Sequence, residues 1–325
     1  MKPITKSAPD QANRKRQLRG SLLLLLGSVI WGAAFAAQRA GMDSVGPMTF
    51  TGIRMLLGAA VLTPMVIAKE RKNRKTQPEK REQMKAGVLC GLFLFAASIL
   101  QQIGLVSTTA GKAGFITALY VVLVLVAGWI LFRKHPGRVI WVSVILAVAA
   151  LYLLSVAGTD LALQTGDLLV MGCAVCFTGQ ILCVDHYAPR VSGIRLARDE
   201  FLITGGLSMA IALATENIAW EGIRGALFPI LYTGIMSCAV GYTLQIYGQR
   251  DTDPTVASLL MCLESVFAVL TGALLLGERM SGWESAGCVV MFAAVILAQL
   301  SPVLRAKQGS GVREQGSGDS SLRSE

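Results

Sequence analysis

The sequence predicts an all-α integral membrane protein of ten transmembrane helices arranged as two inverted five-helix repeats. Three observations predict it. First, the 325 residues are 53% hydrophobic and only 15% charged, against about 25% charged in soluble domains, and the mean hydropathy is +0.57. Second, the charge is segregated, with half of the charged side chains in residues 1–19, 69–85 and 303–325. Third, shifting the chain by 144 residues aligns 98–153 with 242–297 without a gap. A soluble enzyme, a disordered chain and a disulfide scaffold all fit such a composition poorly.

A bilayer core of about 30 Å requires roughly 20 apolar residues per helix. Ten runs meet that length: 20–39, 47–68, 86–107, 110–132, 138–157, 166–187, 199–215, 222–248, 254–276 and 282–302. The first opens on Ser21 and five leucines, but no small-residue cleavage site follows, so it reads as a permanent span rather than a signal peptide. Pro47, Pro254 and glycines near 41, 111, 158 and 282 punctuate the runs. Many other glycines, among them Gly27, Gly32, Gly52 and Gly58, lie inside spans, where small residues let helix backbones approach in lipid. The expected organisation is a cytoplasmic tail over 1–19, a first repeat over 20–157, a second over 166–302 and a disordered cytoplasmic tail over 303–325.

Orientation follows from Lys and Arg. With both termini in the cytoplasm, cytoplasmic segments hold 25 of them and the opposite side holds Arg39, Lys112, Arg224 and Arg279. That bias obeys the positive-inside rule and accounts for the net charge of +10 without nucleic acid. The expected location is the plasma membrane. The seven cysteines all fall in apolar stretches, where a thiol is a small packing residue. Cys173 and Cys176 form a C-x-x-C with neither a strand nor a second pair, so no metal is expected.

The repeat carries twelve identities, including Gln101/Gln245, Gly104/Gly248 and Leu119/Leu263. An offset of 146 extends it weakly to the first helix of each half. Five spans per unit is odd, so the halves enter the membrane in opposite senses. Inverted repeats recur in secondary transporters, with the substrate site near the midplane between halves. They also occur in channels, so the repeat alone leaves carrier and pore open.

Trp31-Gly32 in the first span and Arg54-Met55-Leu56 in the second resemble the drug/metabolite transporter superfamily, and within it the EamA family. So does Glu264-Ser265-Val266-Phe267-Ala268, followed by Gly272 and Leu274-Leu275-Leu276-Gly277-Glu278. The resemblance covers about 20–302; the first-half counterpart, running to Phe132-Arg133-Lys134, lacks the Gly-Glu ending. It implies a proton- or gradient-driven carrier, often an exporter of amino acids or other small metabolites.

Ionisable groups within lipid cost about 2.5–3.5 kcal/mol each on insertion scales and are functional candidates by default. Glu264 is eleventh in the run 254–276, close to the midplane. It reads as a group that binds a proton or a substrate amine, or as a packing residue bonded to a neighbouring helix. Arg54, eighth in its run, reads as a contact for a substrate carboxylate, a partner of Glu264, or a side chain that snorkels outward. Gln101, Gln102 and Gln245 add uncharged donors and acceptors, and Tyr120 is the repeat partner of Glu264. Trp31, Phe35, Tyr242 and Tyr247 read as apolar walls or as plain packing. The expected cavity is bounded by the first, third, fourth, sixth, eighth and ninth helices.

Enzyme signatures are weak. His135 and His186 lie in or beside loops without a carboxylate–histidine cluster, and no glycine-rich loop ends in Lys-Ser or Lys-Thr. The expectation is therefore a non-enzymatic secondary carrier, without cofactor, whose partners are a small-molecule substrate, a coupling proton and the bilayer. A homodimer is left open. Alternating access by motion of one five-helix half against the other is the expected mechanism. A channel-like or structural membrane protein is the alternative.

Overall fold

The computed structural model of the chain describes residues 8–72, 80–107, 110–133, 136–155, 164–276 and 280–318. Among these there are helices and no strands. They are α1 Ala8–Met42, α2 Pro47–Lys72, α3 Lys80–Ser107, α4 Ala110–Ala118, α5 Tyr120–Phe132, α6 Arg138–Ser155, α7 Thr165–Tyr187 and α8 Gly193–Thr215. There follow α9 Trp220–Gly225, α10 Leu227–Tyr232, a π-helical segment Thr233–Tyr242, α11 Thr243–Gln249, α12 Pro254–Met261, α13 Leu263–Leu276 and α14 Gly282–Gly318. The helix α14 runs past the boundary at 302, and 319–325 lie outside the described residues, as do Gly277-Glu278 of the family motif.

Among the described residues eight helical stretches are long and apolar enough to cross a membrane, and Arg138–Leu154 is apolar but shorter. α8 is as long as α7, at 23 residues, but begins with Arg195, Arg198, Asp199 and Glu200. Local chemistry sets several helix starts. Asp253 caps α12 by accepting from the Thr255 N–H at 3.0 Å, with Pro254 in the first turn. Asp167 accepts from the Gln164 N–H at 2.9 Å in a capping box at the start of α7. Glu216, just past α8, caps α2 from across the bundle: it accepts from the N–H groups of Met48 and Thr49 at 2.8 Å each and from Thr49 Oγ1 at 2.6 Å.

Three expected continuous spans are interrupted. The fourth breaks at Leu119 between α4 and α5, and the ninth at Cys262 between α12 and α13. At both breaks the hydrogen bonds tighten to three-residue steps, Leu119 N–H to Ile116 O and Ser265 N–H to Cys262 O. The two breaks meet: Cys262 Sγ lies 3.7 Å from Ala118 O and gives that carbonyl a donor. The eighth span loosens into the π-segment just after Pro229, which has no N–H to donate. Apolar periodicity is blind to such changes because they leave composition intact.

Packing runs mainly between the two sequence halves. α3 lies along α7 and α8, α2 along α8 and the π-segment, and α6 along α14. α1 lies along α10–α11 and α12–α13, and α4–α5 contact α7. Among the described residues two large apolar cores result, beside two small clusters around Phe50 and Ile116. One is built largely from α4–α6 and α12–α14, with Val121, Val124, Leu151, Leu259, Leu263 and Met291 fully buried. The other is built from α2, α3, α7, α8 and α11, around Met55, Leu94, Leu196, Phe201 and Ile246. Neither core coincides with a sequence half. The reason is physical: each half's apolar faces are covered by helices of the other half.

Candidate functional site

A cavity lies between the two cores, with about 640 Å³ of space not filled by atoms, counting its open mouth. Its wall is made by Trp31 and Gln38 of α1, Arg54 of α2, Ser98 and Gln101 of α3, Thr117 of α4 and Tyr120 of α5. The other side is Phe177, Gln180 and Ile181 of α7, Ser237 and Tyr242 of the π-segment, Gln245 of α11, Met261 of α12 and Glu264 of α13. The lining therefore includes all six expected helices and adds the second, through Arg54.

Glu264 stands two residues beyond the Cys262 break, in the first turn of α13. It is half-buried, faces the cavity, and has no hydrogen bond or ion pair among the described residues. Its repeat partner Tyr120 begins α5, one residue beyond the other break. The crossing of the two broken helices thus delivers both side chains to one place. Arg54 is 4% exposed, so it does not snorkel. Its Nη1 donates to Gln38 Oε1 at 2.7 Å, the guanidinium lies 5.6 Å over the Phe50 ring, and Nε is unpartnered. It makes no ion pair with Glu264 among the described residues. One acidic and one basic side chain therefore share a cavity without neutralising each other.

Trp31 is fixed by the π-segment: its Nε1 donates to Ser237 O at 3.1 Å and its ring meets Tyr242 edge-on at 5.1 Å. The wider π turn leaves the Ser237 carbonyl available to a side chain. Gln101 Nε2 donates to Thr117 Oγ1 at 3.3 Å. Gln102 does not line the cavity; it is fully buried, and both ends of its amide are unpartnered. Adjacent helix positions point about 100° apart, so only one glutamine of such a pair faces inward. Tyr247 is not a wall residue either, since its hydroxyl accepts from Lys69 Nζ at 2.9 Å in an exposed setting. The side chain of Phe35 lies outside the described residues.

Sequence reading missed a second polar group. Gln245 Nε2 donates to Gln180 Oε1 at 3.1 Å and to Gln249 Oε1 at 2.9 Å, and Gln249 Nε2 donates to Ile181 O at 3.2 Å. Gln180 Nε2 in turn donates to Glu200 Oε2 at 3.3 Å. Glu200 is fully buried, and its other oxygen has no partner. The expected seventh run begins at 199, so Glu200 falls at its edge, beside Arg195, Arg198 and Asp199. The available signal was Gln180 and Gln249, polar residues in apolar surroundings.

Helices of membrane-spanning length closed around a polar cavity that holds an acidic and a basic side chain not paired with each other are the build of a membrane transporter. The chain belongs to the EamA-like transporter family, whose model matches residues 18–156 and again 164–300. It is 28% identical over 286 residues to an uncharacterized transporter of Archaeoglobus fulgidus, covering 88% of this chain and 87% of that one. It is 24% identical to the inner membrane transporter YedA of Escherichia coli K12, over 88% and 92% of the two chains. It is 26% identical to the S-adenosylmethionine/S-adenosylhomocysteine transporter of Chlamydia muridarum, over 79% and 84%. A crystal structure at 17% identity superposes with a TM-score of 0.73, over 86% of this chain and 96% of that one, a likeness of fold.

Proposed function

We propose that this transporter is a secondary carrier that moves a small polar metabolite of amino-acid type across the plasma membrane by alternating access, with export the favoured direction. The observation that carries the reading is the cavity in which Arg54 and Glu264 stand without a counter-charge. Keeping a charge out of water is expensive unless a partner compensates it. A ligand bearing a carboxylate and an ammonium supplies both partners, the first at Arg54 and the second at Glu264. A transported proton is the other group that can neutralise Glu264. The Chlamydia relative's name supports the substrate class, because both compounds in it carry an α-amino acid group.

Ten spans with both termini cytoplasmic, as two inverted five-helix repeats, form the frame of this reading. The packing supports it. Under the repeat, α3 against α7 becomes α10–α11 against α1, and α4–α5 against α7 becomes α12–α13 against α1, while α2/α8 and α6/α14 map onto themselves. Glycine contacts repeat as well. A Cβ at Gly104 would meet Val170 and the Gly166 carbonyl, and one at Gly248 would meet Leu24 and the Gly20 carbonyl. Because the apolar cores cut across the halves, access alternates by rocking one core against the other, with the Leu119 and Cys262 breaks as the yielding points.

Counterflow in proteoliposomes tests the reading with a panel of labelled L-amino acids, matched amines lacking the carboxylate, and matched acids lacking the amine. A carrier accelerates uptake when unlabelled substrate is inside; a pore shows no such acceleration. Removing a charge-assisted hydrogen bond worth about 1.5–3 kcal/mol lowers affinity by roughly 10- to 150-fold. Glu264→Gln is therefore expected to weaken amine-bearing substrates by that factor. Absence of trans-stimulation across the panel, or unchanged affinity in Glu264→Gln, refutes the assignment.

A further inference from the structure

The carboxyl of Glu200 has no part in the cavity lining, yet it is one hydrogen bond behind it. It is fully buried on α8, touched by a single neutral amide at 3.3 Å, and its second oxygen is empty-handed. Its ionisable surroundings offer no compensation. Cys90 on α3 and Cys238 and Tyr242 of the π-segment are its electrostatic neighbours, with Asp199 beside it on α8. From α2 come Arg54, held by Gln38, and Glu70, which pairs with Arg195 at 2.8 Å. From α7 comes Cys183, a neighbour of Cys90. From α11 comes Tyr247, bonded to Lys69. No cation bonds to Glu200 among the described residues.

We infer that Glu200 is a proton-binding site of the carrier, and that its protonation reverses the Gln180–Gln245 amide chain so that a proton and a substrate compete for the same wall. The inference rests on the carrier reading. With Glu200 ionised, the bonds are those observed: Gln180 Nε2 donates to the carboxylate, Gln245 Nε2 donates to Gln180 Oε1, and Gln245 Oε1 accepts from none of the described residues. Gln245 lines the cavity, so that oxygen is left to accept from the substrate. When Glu200 takes up a proton it becomes a donor, and Gln180, the residue bonded to it, can answer by offering its Oε1 in place of Nε2. The Gln180 amide turns over, because its two ends exchange roles, and Gln245 turns with it, giving up its bond to Gln249 Oε1, so that its Oε1 accepts from Gln180 Nε2 and is lost to the substrate. With Glu200 ionised, Gln249, anchored on Ile181 O, holds Gln245 in the observed orientation. The proton enters from one compartment and leaves to the other; no other bond is made or broken. Proton and substrate thus exclude one another, which is what exchange transport requires.

Infrared difference spectroscopy of the purified protein reads the carboxylic-acid C=O band through a pH titration. In Glu264→Gln a titrating acid band is expected to remain, to shift in Gln180→Leu, and to vanish in the double variant Glu264→Gln/Glu200→Gln. A spectrum that Glu200→Gln leaves unchanged overturns the inference. Should Glu200→Gln not fold, Gln180→Leu, which keeps the carboxyl, decides: an unshifted band overturns the amide relay. In proteoliposomes, using whichever panel amino acid gives the largest counterflow, Glu200→Gln is expected to keep exchange while accumulation driven by a pH gradient falls to an inside-to-outside ratio near one. Full accumulation in Glu200→Gln refutes the proton role. Wild-type protein without counterflow refutes the carrier reading, while the infrared result still decides whether Glu200 titrates.

Discussion

Gly32 on α1 packs against α13 with no room for a side chain. A Cβ built there would stand 2.6 Å from Phe267 Cβ, 2.7 Å from the Glu264 carbonyl oxygen and 2.8 Å from the Ala268 nitrogen. Ordinary contact begins near 3.4 Å, so Gly32→Ala is short of room by about 0.6–0.8 Å, and two of the three obstacles are backbone. The helices α1 and α13 must separate, at an overpacking cost of about 1–3 kcal/mol. Alanine regains about 1 kcal/mol of helix propensity over glycine, leaving a net loss of about 0–2 kcal/mol. Gly206→Ala on α8 is the internal control, since nothing lies within 4 Å of its Cβ. The propensity gain is common to both variants, so the difference between them, about 1–3 kcal/mol, isolates packing. Unfolding midpoints in one detergent measure it. Because the displaced turn carries Glu264, Gly32→Ala is also expected to slow transport while Gly206→Ala does not. Equal midpoints for the two variants, with equal transport, would refute the reasoning.

Other outcomes follow from the same geometry. Arg54→Lys keeps the charge but loses the planar fork, so carboxylate-bearing substrates should weaken by about tenfold while matched amines bind unchanged, measured as counterflow competition. Glu216→Ala removes the cap on α2 and should cost about 1–2 kcal/mol of stability. Gly46→Ala displaces the same carboxylate, because its Cβ would collide with it, so the double variant should lose less than the sum. Single cysteines in a background without other cysteines should be labelled only from the cytoplasm at 69–85 and only from outside at 216–221; the opposite pattern overturns the inverted topology.

What the sequence determined by itself was the solvent, the helices and the family. Apolar runs of about 20 residues leave no other economical way to satisfy backbone groups in lipid. Trp31, Arg54, Gln101, Tyr120, Gln245 and Glu264 stood out because a polar or aromatic group in such a run is costly to keep there. All six line the cavity, and Gln102 does not. What only the tertiary structure decided is which of these groups have partners and which helices belong together. The bond between Arg54 and Gln38 spans two helices, and the chain from Gln245 to Glu200 spans three. A hydrogen bond between helices depends on their register and crossing, which no single helix encodes. The breaks at Leu119 and Cys262 follow the same rule. Each is tolerable because the other helix crosses there and, through Cys262 Sγ, supplies a donor to Ala118 O. The two cores likewise cut across the repeats because each helix buries its apolar face against whichever neighbour the fold brings to it.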